Sequence, residues 1–307
     1  MIKDPYGRIL TGIRIAVTNK CNLKCFYCHR EGEENSHLTE MEPWEIATIV
    51  RIASKFGIKK VKITGGEPLI RNDITDLVYE VASVSGISEV SMTTNGVFLK
   101  KFAYRLAEVG LRRVNVSLDT LDRKRYEFIT RRNKLNDVIS GIHKAIDAGL
   151  NPVKINMVLL KGLNEDEVWN MASFASEVGA ILQLIELVKS PTTPNWIFKR
   201  FHLNPEIIER EIKKKAVKVL VRKTHHRRKY ILEDGCEIEI VKPMHNTEFC
   251  ANCTRIRVTS DGKLKPCLLR NDNLVDILTP MRHGASMSEL EELFLKTIKL
   301  REPYFKK

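Results

Sequence analysis

The chain has 307 residues, of which 43% are hydrophobic and 29% charged, values typical of a soluble globular protein large enough for one α/β barrel or two domains. Residues 1–7 contain no apolar signal region and no apolar run approaches the length of a membrane helix, so we expect a cytoplasmic protein without a membrane partner. The net charge of +13 favours anionic partners, but it does not distinguish nucleic acid from nucleotides or acidic membranes.

From residue 12 to about 188 one unit recurs, in which a short β-branched run is followed by a polar turn and a helical pattern. The predicted strands are 13–18, 61–64, 89–93, 113–118, 153–160 and 181–188. The predicted helices begin with a capping-box pattern at 39–42 and continue near 73–84, 100–109, 136–148 and 164–178. Strands and helices that alternate in this way pair in parallel, which predicts a barrel or an open doubly wound sheet.

Three cysteines, Cys21, Cys25 and Cys28, follow the first predicted strand within eight residues. Thiolates from one loop can converge on zinc, copper(I) or an iron–sulfur cluster. A closed zinc site or an electron-carrying cluster usually has four protein ligands, so three thiolates leave one metal position open for chemistry. The alternatives are coincidental cysteines in a loop, or half of a zinc site that is completed from elsewhere in the chain.

Polar residues also follow the next three predicted strands, at 65–68, 93–96 and 117–119. Because parallel α/β folds build their sites at the carboxyl ends of the strands, these turns and the cysteine loop are expected to meet on one rim. Each turn alone could be an ordinary connection. Their coincidence at one edge of the sheet predicts a site.

The pattern changes after residue 188, where 190–194 has a linker composition. The following segment predicts a helix at 205–214, strands at 217–221, 230–232 and 237–241 with a hairpin turn at 233–235, and a last helix at 286–300. The basic run 222–229 lacks interleaved aromatic residues that would stack on bases, so we interpret it as solvated surface.

A second group of three cysteines, Cys250, Cys253 and Cys267, spans a predicted strand at 255–259 and an Asp-Gly turn at 261–262. The hairpin would fold the third thiol back towards the first two. The cysteine spacings indicate metal ligands rather than disulfides. Cys236 stands apart from both groups, and we expect it to be a small buried residue.

The first cysteine group, followed by Gly65-Gly66-Glu67-Pro68, resembles the radical S-adenosylmethionine (SAM) superfamily. The second group, which encloses Thr254-Arg255-Ile256-Arg257, resembles the GTP 3',8-cyclases, the MoaA enzymes of molybdenum cofactor biosynthesis. The resemblance covers residues 14–267. It implies an α/β fold with an incomplete (β/α)6 radical SAM barrel over residues 1–189. A smaller C-terminal α+β domain over 190–307 would close the side of the barrel and carry a second iron–sulfur cluster.

In that family each cysteine group holds a [4Fe-4S] cluster, and the first cluster leaves an iron for SAM, whose cleavage by one electron releases a 5'-deoxyadenosyl radical. The implied SAM contacts are Tyr27, Gly66, Ser117 and Val188. The second cluster binds the guanine of GTP through its own open iron. The further implied GTP contacts are Arg14, Lys62, Thr93, Lys154, Arg255, Ile256 and Arg257. Beyond the cluster ligands and Arg14, no catalytic residue is identified.

The resemblance implies a lyase in which the radical removes hydrogen from C3' of the GTP ribose and the ribose radical attacks C8 of guanine. The product is (8S)-3',8-cyclo-7,8-dihydroguanosine 5'-triphosphate, which a cyclic pyranopterin monophosphate synthase consumes. The family also suggests a homodimer that receives electrons from an unidentified donor. A nucleic-acid partner is not expected.

The sequence departs from the family pattern at Gln183 and Lys62, where the family often has arginine, and at Val188, where it has methionine. A C-terminal Gly-Gly pair is also missing. Two alternatives remain: another radical SAM enzyme with an auxiliary cluster, acting on RNA or a peptide, and a non-enzymatic zinc or iron–sulfur protein that binds nucleic acid. The arginines inside the second cysteine group favour GTP, and a zinc protein would leave Gly65-Gly66-Glu67-Pro68 unexplained.

Overall fold

The computed structural model of the protein describes residues 1–33 and 40–306, and these residues form twelve strands and eleven α-helices. The strands are β1 (Gly12–Ala16), β2 (Lys60–Thr64), β3 (Glu89–Thr94), β4 (Leu111–Ser117), β5 (Lys154–Leu159), β6 (Ile181–Glu186), β7 (Ala216–Val221), β8 (Arg228–Leu232), β9 (Glu237–Val241), β10 (Arg255–Val258), β11 (Lys263–Lys265) and β12 (Val275–Asp276). The helices are α1 (Pro43–Lys55), α2 (Ile74–Ala82), α3 (Leu99–Glu108), α4 (Arg123–Thr130), α5 (Leu135–Asp147), α6 (Val168–Glu177), α7 (Asn195–Phe201), α8 (Glu206–Lys215), α9 (Thr247–Ala251), α10 (Leu278–Arg282) and α11 (Met287–Lys299).

The strands form one mixed sheet, in the order β12-β11-β10-β1-β2-β3-β4-β5-β6-β9-β8-β7. All six strands predicted before residue 189 are confirmed as β1–β6, and each pairs in parallel with the next. The sheet stays open, because β1 pairs on its other side with β10 and β6 with β9, both in parallel. The predicted α/β architecture with parallel pairing is therefore confirmed. The division into two domains near residue 189 stays a prediction.

Alternation of side chains along the strands separates a core face from a polar face. On β1, Ile13 and Ile15 are buried in the main hydrophobic core, while Arg14 between them lines a cavity. On β2, Val61 and Ile63 belong to the same core and Lys62 lines the same cavity. The outer face of the parallel strands thus packs beneath the helices, and the inner face is left for polar chemistry.

The predicted helices are confirmed with two kinds of difference. The first helix begins at Pro43 after an N-cap and capping box made by Glu42 and Glu45. The predicted start at Thr39 lies outside the described residues. Helices α4, α7, α9 and α10 were not predicted, because α4 has few apolar positions and the other three have seven residues or fewer. No α-helix in the described parts of the chain is long and apolar enough to cross a membrane.

A contact between distant parts of the sheet curves it around an interior space. The short 3-10 helix Thr224–His226 connects β7 and β8, and the backbone N–H of His225 donates to the carbonyl of Asn252 over 2.9 Å. The His225 ring also stacks on Phe249 of α9, with ring centroids 3.9 Å apart. Because α9 precedes β10 in the other half of the sheet order, this contact brings the two halves together.

Candidate active site

One cavity of about 430 Å³ collects residues from all six strands β1–β6. It is lined by all six cysteines of the two groups and by every other predicted site residue except Ile256. The Ile256 side chain is 0% exposed in the core, because it alternates with Arg255 and Arg257 along β10. The predicted rim is therefore a single interior site.

The first cysteine loop is held by helix α4. The backbone N–H of Lys24 donates to Thr130, and that of Phe26 donates to Ile129. The Phe26 ring packs on Phe201 with centroids 4.9 Å apart. These contacts fix the segment between Cys21 and Cys28, so its thiols face the cavity from a supported loop.

The Gly65-Gly66 turn lies against the chain that enters this loop. The Gly66 N–H donates to Thr18 over 2.7 Å and the Glu67 N–H donates to Lys20 over 2.8 Å. A Cβ at Gly66 would come within 2.1 Å of the Lys20 carbonyl oxygen, a separation that real Cβ atoms do not show. Glycine is required here because two backbones approach closely.

The thiols of the first group lie close enough to affect one another. Cys25 is partly buried, whereas Cys21 and Cys28 are exposed. Desolvation raises the pKa of Cys25 well above its usual value, and the charges of Asp119, Cys28 and Cys21 raise it further. A bound metal reverses this balance because it stabilises thiolates. Among the described residues, no three His, Cys, Asp or Glu side chains form a single-ion site. The donor set fits a cluster, in which each thiolate binds its own iron.

None of the seven cysteines is in a disulfide, as predicted. Cys236 is buried with its Sγ 3.3 Å from the Ala172 carbonyl oxygen, which confirms the expectation for this residue.

Two arginines form a clamp on the backbone of the second cysteine group. Arg8 donates to the carbonyl of Cys250 and Arg301 to that of Cys253, each over 3.0 Å. Both guanidiniums also contact the carboxylate of Asp4, at 2.7 Å from Arg8 and 2.6 Å from Arg301. One buried carboxylate thus bridges the two arginines that hold the backbone of this loop.

The chain beyond Cys28 ties the two cysteine groups together. The Gly32 carbonyl accepts a hydrogen bond from Lys265 over 2.8 Å. The Glu33 carboxylate accepts from both the N–H and the hydroxyl of Ser260. Because Lys265 and Ser260 belong to the hairpin that precedes Cys267, neither loop can shift far without the other.

Glu31 places a carboxylate among the predicted GTP-binding cations. Its oxygens lie 3.4 Å from Arg14 and 2.8 Å from Arg257, two residues that face each other on β1 and β10. It also accepts from the hydroxyl of Thr64. Burial alone would raise the pKa of Glu31, but the guanidiniums of Arg14 and Arg257 outweigh it and lower the pKa to about 2. Glu31 therefore remains ionised.

A second buried carboxylate, that of Glu239 on β9, pairs with another set of cationic side chains. It lies 2.5 Å from Lys154, and the Gln183 amide donates to it over 2.8 Å. Arg222 pairs with the same carboxylate. Burial opposes ionisation of Glu239, but the nearby cations lower its pKa to about 2. Neither Glu31 nor Glu239 was predicted from the sequence, although Glu239 is a charge between the apolar residues Ile238 and Ile240 of β9.

Two further cations have no carboxylate partner among the described residues. Lys62 donates to the Asn115 amide oxygen over 2.7 Å, and burial lowers its pKa well below the usual value. The Arg255 side chain makes no hydrogen bond or ion pair with the described residues, and burial followed by the charge of Arg14 lowers its pKa strongly. The Thr93 hydroxyl is likewise buried without a partner. The cavity is therefore suited to an anion that brings its own acceptors.

The carboxylate of Glu67 predicts a pH dependence of stability. Burial raises its pKa to about 7 from the ordinary 4.5, despite hydrogen bonds from Thr94, Asn95 and Leu69. The unfolded chain ionises this group near 4.5, so the free energy of unfolding should fall by about 3 kcal/mol as the pH rises from about 4.5 to 7. We expect Glu67→Gln to flatten this slope in urea titrations of the metal-free chain.

The variant should be judged by the slope of stability against pH rather than by its stability at one pH. The amide group introduced by Glu67→Gln would lack the oxygen that accepts from the Asn95 N–H, and this loss shifts the stability at every pH. Parallel profiles for the wild type and Glu67→Gln would contradict the buried ionisation.

Two sequence families match the chain. Residues 15–175 match the sequence model of the radical SAM superfamily, and residues 180–307 match that named Molybdenum Cofactor Synthesis C. A protein of Pyrococcus horikoshii named probable GTP 3',8-cyclase is 51% identical and covers 99% of this chain and 98% of that protein. A protein of Methanothermobacter marburgensis with the same name is 48% identical over 99% of both chains.

Solved structures with a similar fold are more distant in sequence. Streptococcus suis SuiB, bound to its precursor peptide SuiA, has a TM-score of 0.66 and 18% identity and covers 97% of this chain and 66% of that chain. The structure of anSMEcpe with bound AdoMet has a TM-score of 0.62 and 16% identity, covering 94% and 82%. At these identities the likeness shows a shared fold.

Proposed function

The chain belongs to the radical SAM superfamily and, within it, to the GTP 3',8-cyclase family, and on this premise we propose that it converts GTP to (8S)-3',8-cyclo-7,8-dihydroguanosine 5'-triphosphate in molybdenum cofactor biosynthesis. The observation that carries the proposal is the single cavity that contains both cysteine groups and the cations between them. Relatives near 50% identity over their full length carry that activity in their names.

The first cysteine group would hold a [4Fe-4S] cluster, and SAM would bind beside it. Gly66, Ser117, Val188 and Tyr27 all line the cavity next to this loop, which supports their proposed roles as SAM contacts. The Tyr27 hydroxyl donates to the Asp119 carboxylate, so its ring is fixed against the strand-end residues. When bound, the cluster and SAM would supply the radical that removes hydrogen from the substrate.

The second cysteine group would hold the other cluster, beside the guanine. Its support is local: Cys253 and Cys267 lie on either side of the strand that carries Arg255 and Arg257, and all four residues line the cavity. Arg8 and Arg301 hold the backbone carbonyls of this loop, so a ligand there meets a rigid wall. The chain's contribution is to orient the guanine relative to the ribose.

The cations of the cavity would hold the triphosphate, which carries about four negative charges at neutral pH. Lys62 and Arg255, which have no carboxylate partner in the described chain, would gain most from this anion. Arg14 and Arg257 would exchange part of their contact with Glu31 for phosphate oxygens. The unpartnered hydroxyl of Thr93 would donate to the substrate.

An RNA or peptide substrate is the competing proposal. The cavity volume of about 430 Å³ suits a small molecule that is largely enclosed, whereas RNA is bound on exposed, aromatic-lined surfaces. The peptide in the SuiB structure belongs to a protein 18% identical to this one, and so supports only the fold. The downstream synthase, the electron donor and the homodimer stay predictions.

The proposed function predicts that GTP accelerates SAM cleavage. The reconstituted protein is incubated anaerobically with SAM, a reductant and GTP, ATP or no nucleotide, and 5'-deoxyadenosine is measured with time. We expect faster formation with GTP than with ATP, together with a product that retains the three phosphates. Equal rates with GTP, ATP and no nucleotide would show that the substrate assignment is wrong.

A further inference from the structure

The basic run 222–229 sends several side chains into the cavity, among them Arg222, His225 and Arg227. The sequence predicted solvated surface for this run, and that prediction is wrong for these residues. The Arg227 side chain is 10% exposed. Arg228, the next residue, is 54% exposed and lies 3.7 Å from Glu209. Neighbouring residues at the start of a strand face opposite sides, so two adjacent arginines have different environments.

The position of Arg227 is fixed by the turn before it. His225 and His226 have positive φ angles of 61° and 47°, which reverse the chain immediately before the strand. Stacking of His225 on Phe249 and its hydrogen bond to Asn252 anchor this reversal against helix α9. The guanidinium is therefore presented to the cavity from a supported backbone rather than from a free loop.

The positive charge and the hydrogen-bond donors of Arg227 have few partners among the described residues. Its nearest carboxylate in the described chain is Glu239 at 3.8 Å, and Lys154 contacts that carboxylate at 2.5 Å. The Arg227 Nε is buried without a hydrogen-bond partner. Burial lowers the pKa of Arg227 to about 10, Glu239 opposes this shift, and the charges of Arg222 and Arg113 add to it. A buried guanidinium with an unused donor requires an external acceptor.

We propose that Arg227 is a further substrate-binding residue, which donates to the triphosphate of the nucleotide. This inference rests on the proposed function for the identity of the nucleotide, but its own content is the recognition of phosphate. The planar guanidinium can donate from two edges, so it can contact a phosphate while it remains near Glu239. Arg227 thus distinguishes a nucleotide from its nucleoside.

The test compares Arg227→Gln with Arg228→Gln, the same change at the exposed residue that follows it in the chain. Binding of GTP, guanosine and inorganic tripolyphosphate to the reconstituted protein is measured anaerobically by calorimetry. We expect Arg227→Gln to weaken the binding of GTP and of tripolyphosphate about tenfold or more, as for loss of a charge-assisted hydrogen bond. Its affinity for guanosine should stay within about twofold of the wild-type value. Arg228→Gln should bind all three ligands as the wild type does, and Arg227→Lys should fall between.

Unchanged GTP affinity in Arg227→Gln would overturn the inference. Equal weakening of guanosine and GTP would also overturn it, because that result indicates a structural role near Glu239. If Arg227→Gln does not fold, Arg227→Lys decides: weaker GTP binding with unchanged guanosine binding supports the inference, and unchanged GTP binding overturns it. A wild type that binds ATP as tightly as GTP contradicts the proposed function, whereas weaker binding of both by Arg227→Gln still supports phosphate recognition.

Discussion

Replacement of Cys25 by alanine is expected to abolish SAM cleavage, whereas replacement of Cys253 should leave SAM cleavage measurable but no longer accelerated by GTP. The two thiols belong to different groups that line one cavity. If each group holds its own four-iron cluster, each variant loses about four of about eight irons per chain. The iron contents of the two variants are then equal, and only their reactions with SAM and GTP differ.

The measurement combines iron and sulfide analysis with 5'-deoxyadenosine formation, each with and without GTP. Cys236→Ala is the matched control, because this buried thiol contacts the Ala172 carbonyl rather than the cavity and should retain the full iron content. Iron loss in Cys236→Ala equal to that in the other two variants would show that the assay reports folding. Normal GTP stimulation in Cys253→Ala would exclude the second group from substrate binding.

Replacement of Glu239 by glutamine is expected to lower the free energy of unfolding by about 3–5 kcal/mol, the typical effect of leaving a buried charge unpaired. The carboxylate is 0% exposed and lies 2.5 Å from Lys154, whose side chain is also buried. Arg222 pairs with it as well. Because the amide keeps the size of the side chain, the loss reports charge rather than packing.

Urea unfolding of the metal-free chain at pH 7 measures this effect. The combined variant Glu239→Leu with Lys154→Met removes both members of the closest pair, and it should recover much of the stability lost in Glu239→Gln. A loss below about 1 kcal/mol in Glu239→Gln would indicate that water or movement compensates Lys154. If the combined variant recovers no stability, the loss in Glu239→Gln comes from the unpaired charge of Arg222 rather than from that of Lys154.

The sequence allowed the six parallel strands and the two cysteine groups to be predicted, because both signals are local. β-branched runs define strands from their own residues, and thiol spacing within a loop or hairpin does not depend on the rest of the fold. The turn at Gly65-Gly66 was predicted to lie on the rim because it follows the second predicted strand, and it lines the cavity. These parts of the site required little knowledge of tertiary structure.

The carboxylates could not be predicted in the same way, because their role depends on distant partners. Glu239 is separated by 85 positions from Lys154, and Glu31 by 226 positions from Arg257. Arg227 was missed for a related reason: the composition of a basic run does not reveal which of two adjacent arginines faces inward. The orientation of Arg227 depends on the packing of His225 against Phe249, which is a tertiary contact.

The arginine clamp on the second cysteine group orders events during synthesis of the chain. The contact between Asp4 and Arg301 joins residues 297 positions apart, and Arg301 holds the carbonyl of Cys253. The first cysteine loop is held by Thr130 and Ile129, which leave the ribosome much earlier. The contacts of the first loop with helix α4 can therefore form early, but its contacts with Ser260 and Lys265 form late. The second loop reaches its final shape only after Arg301 has been released.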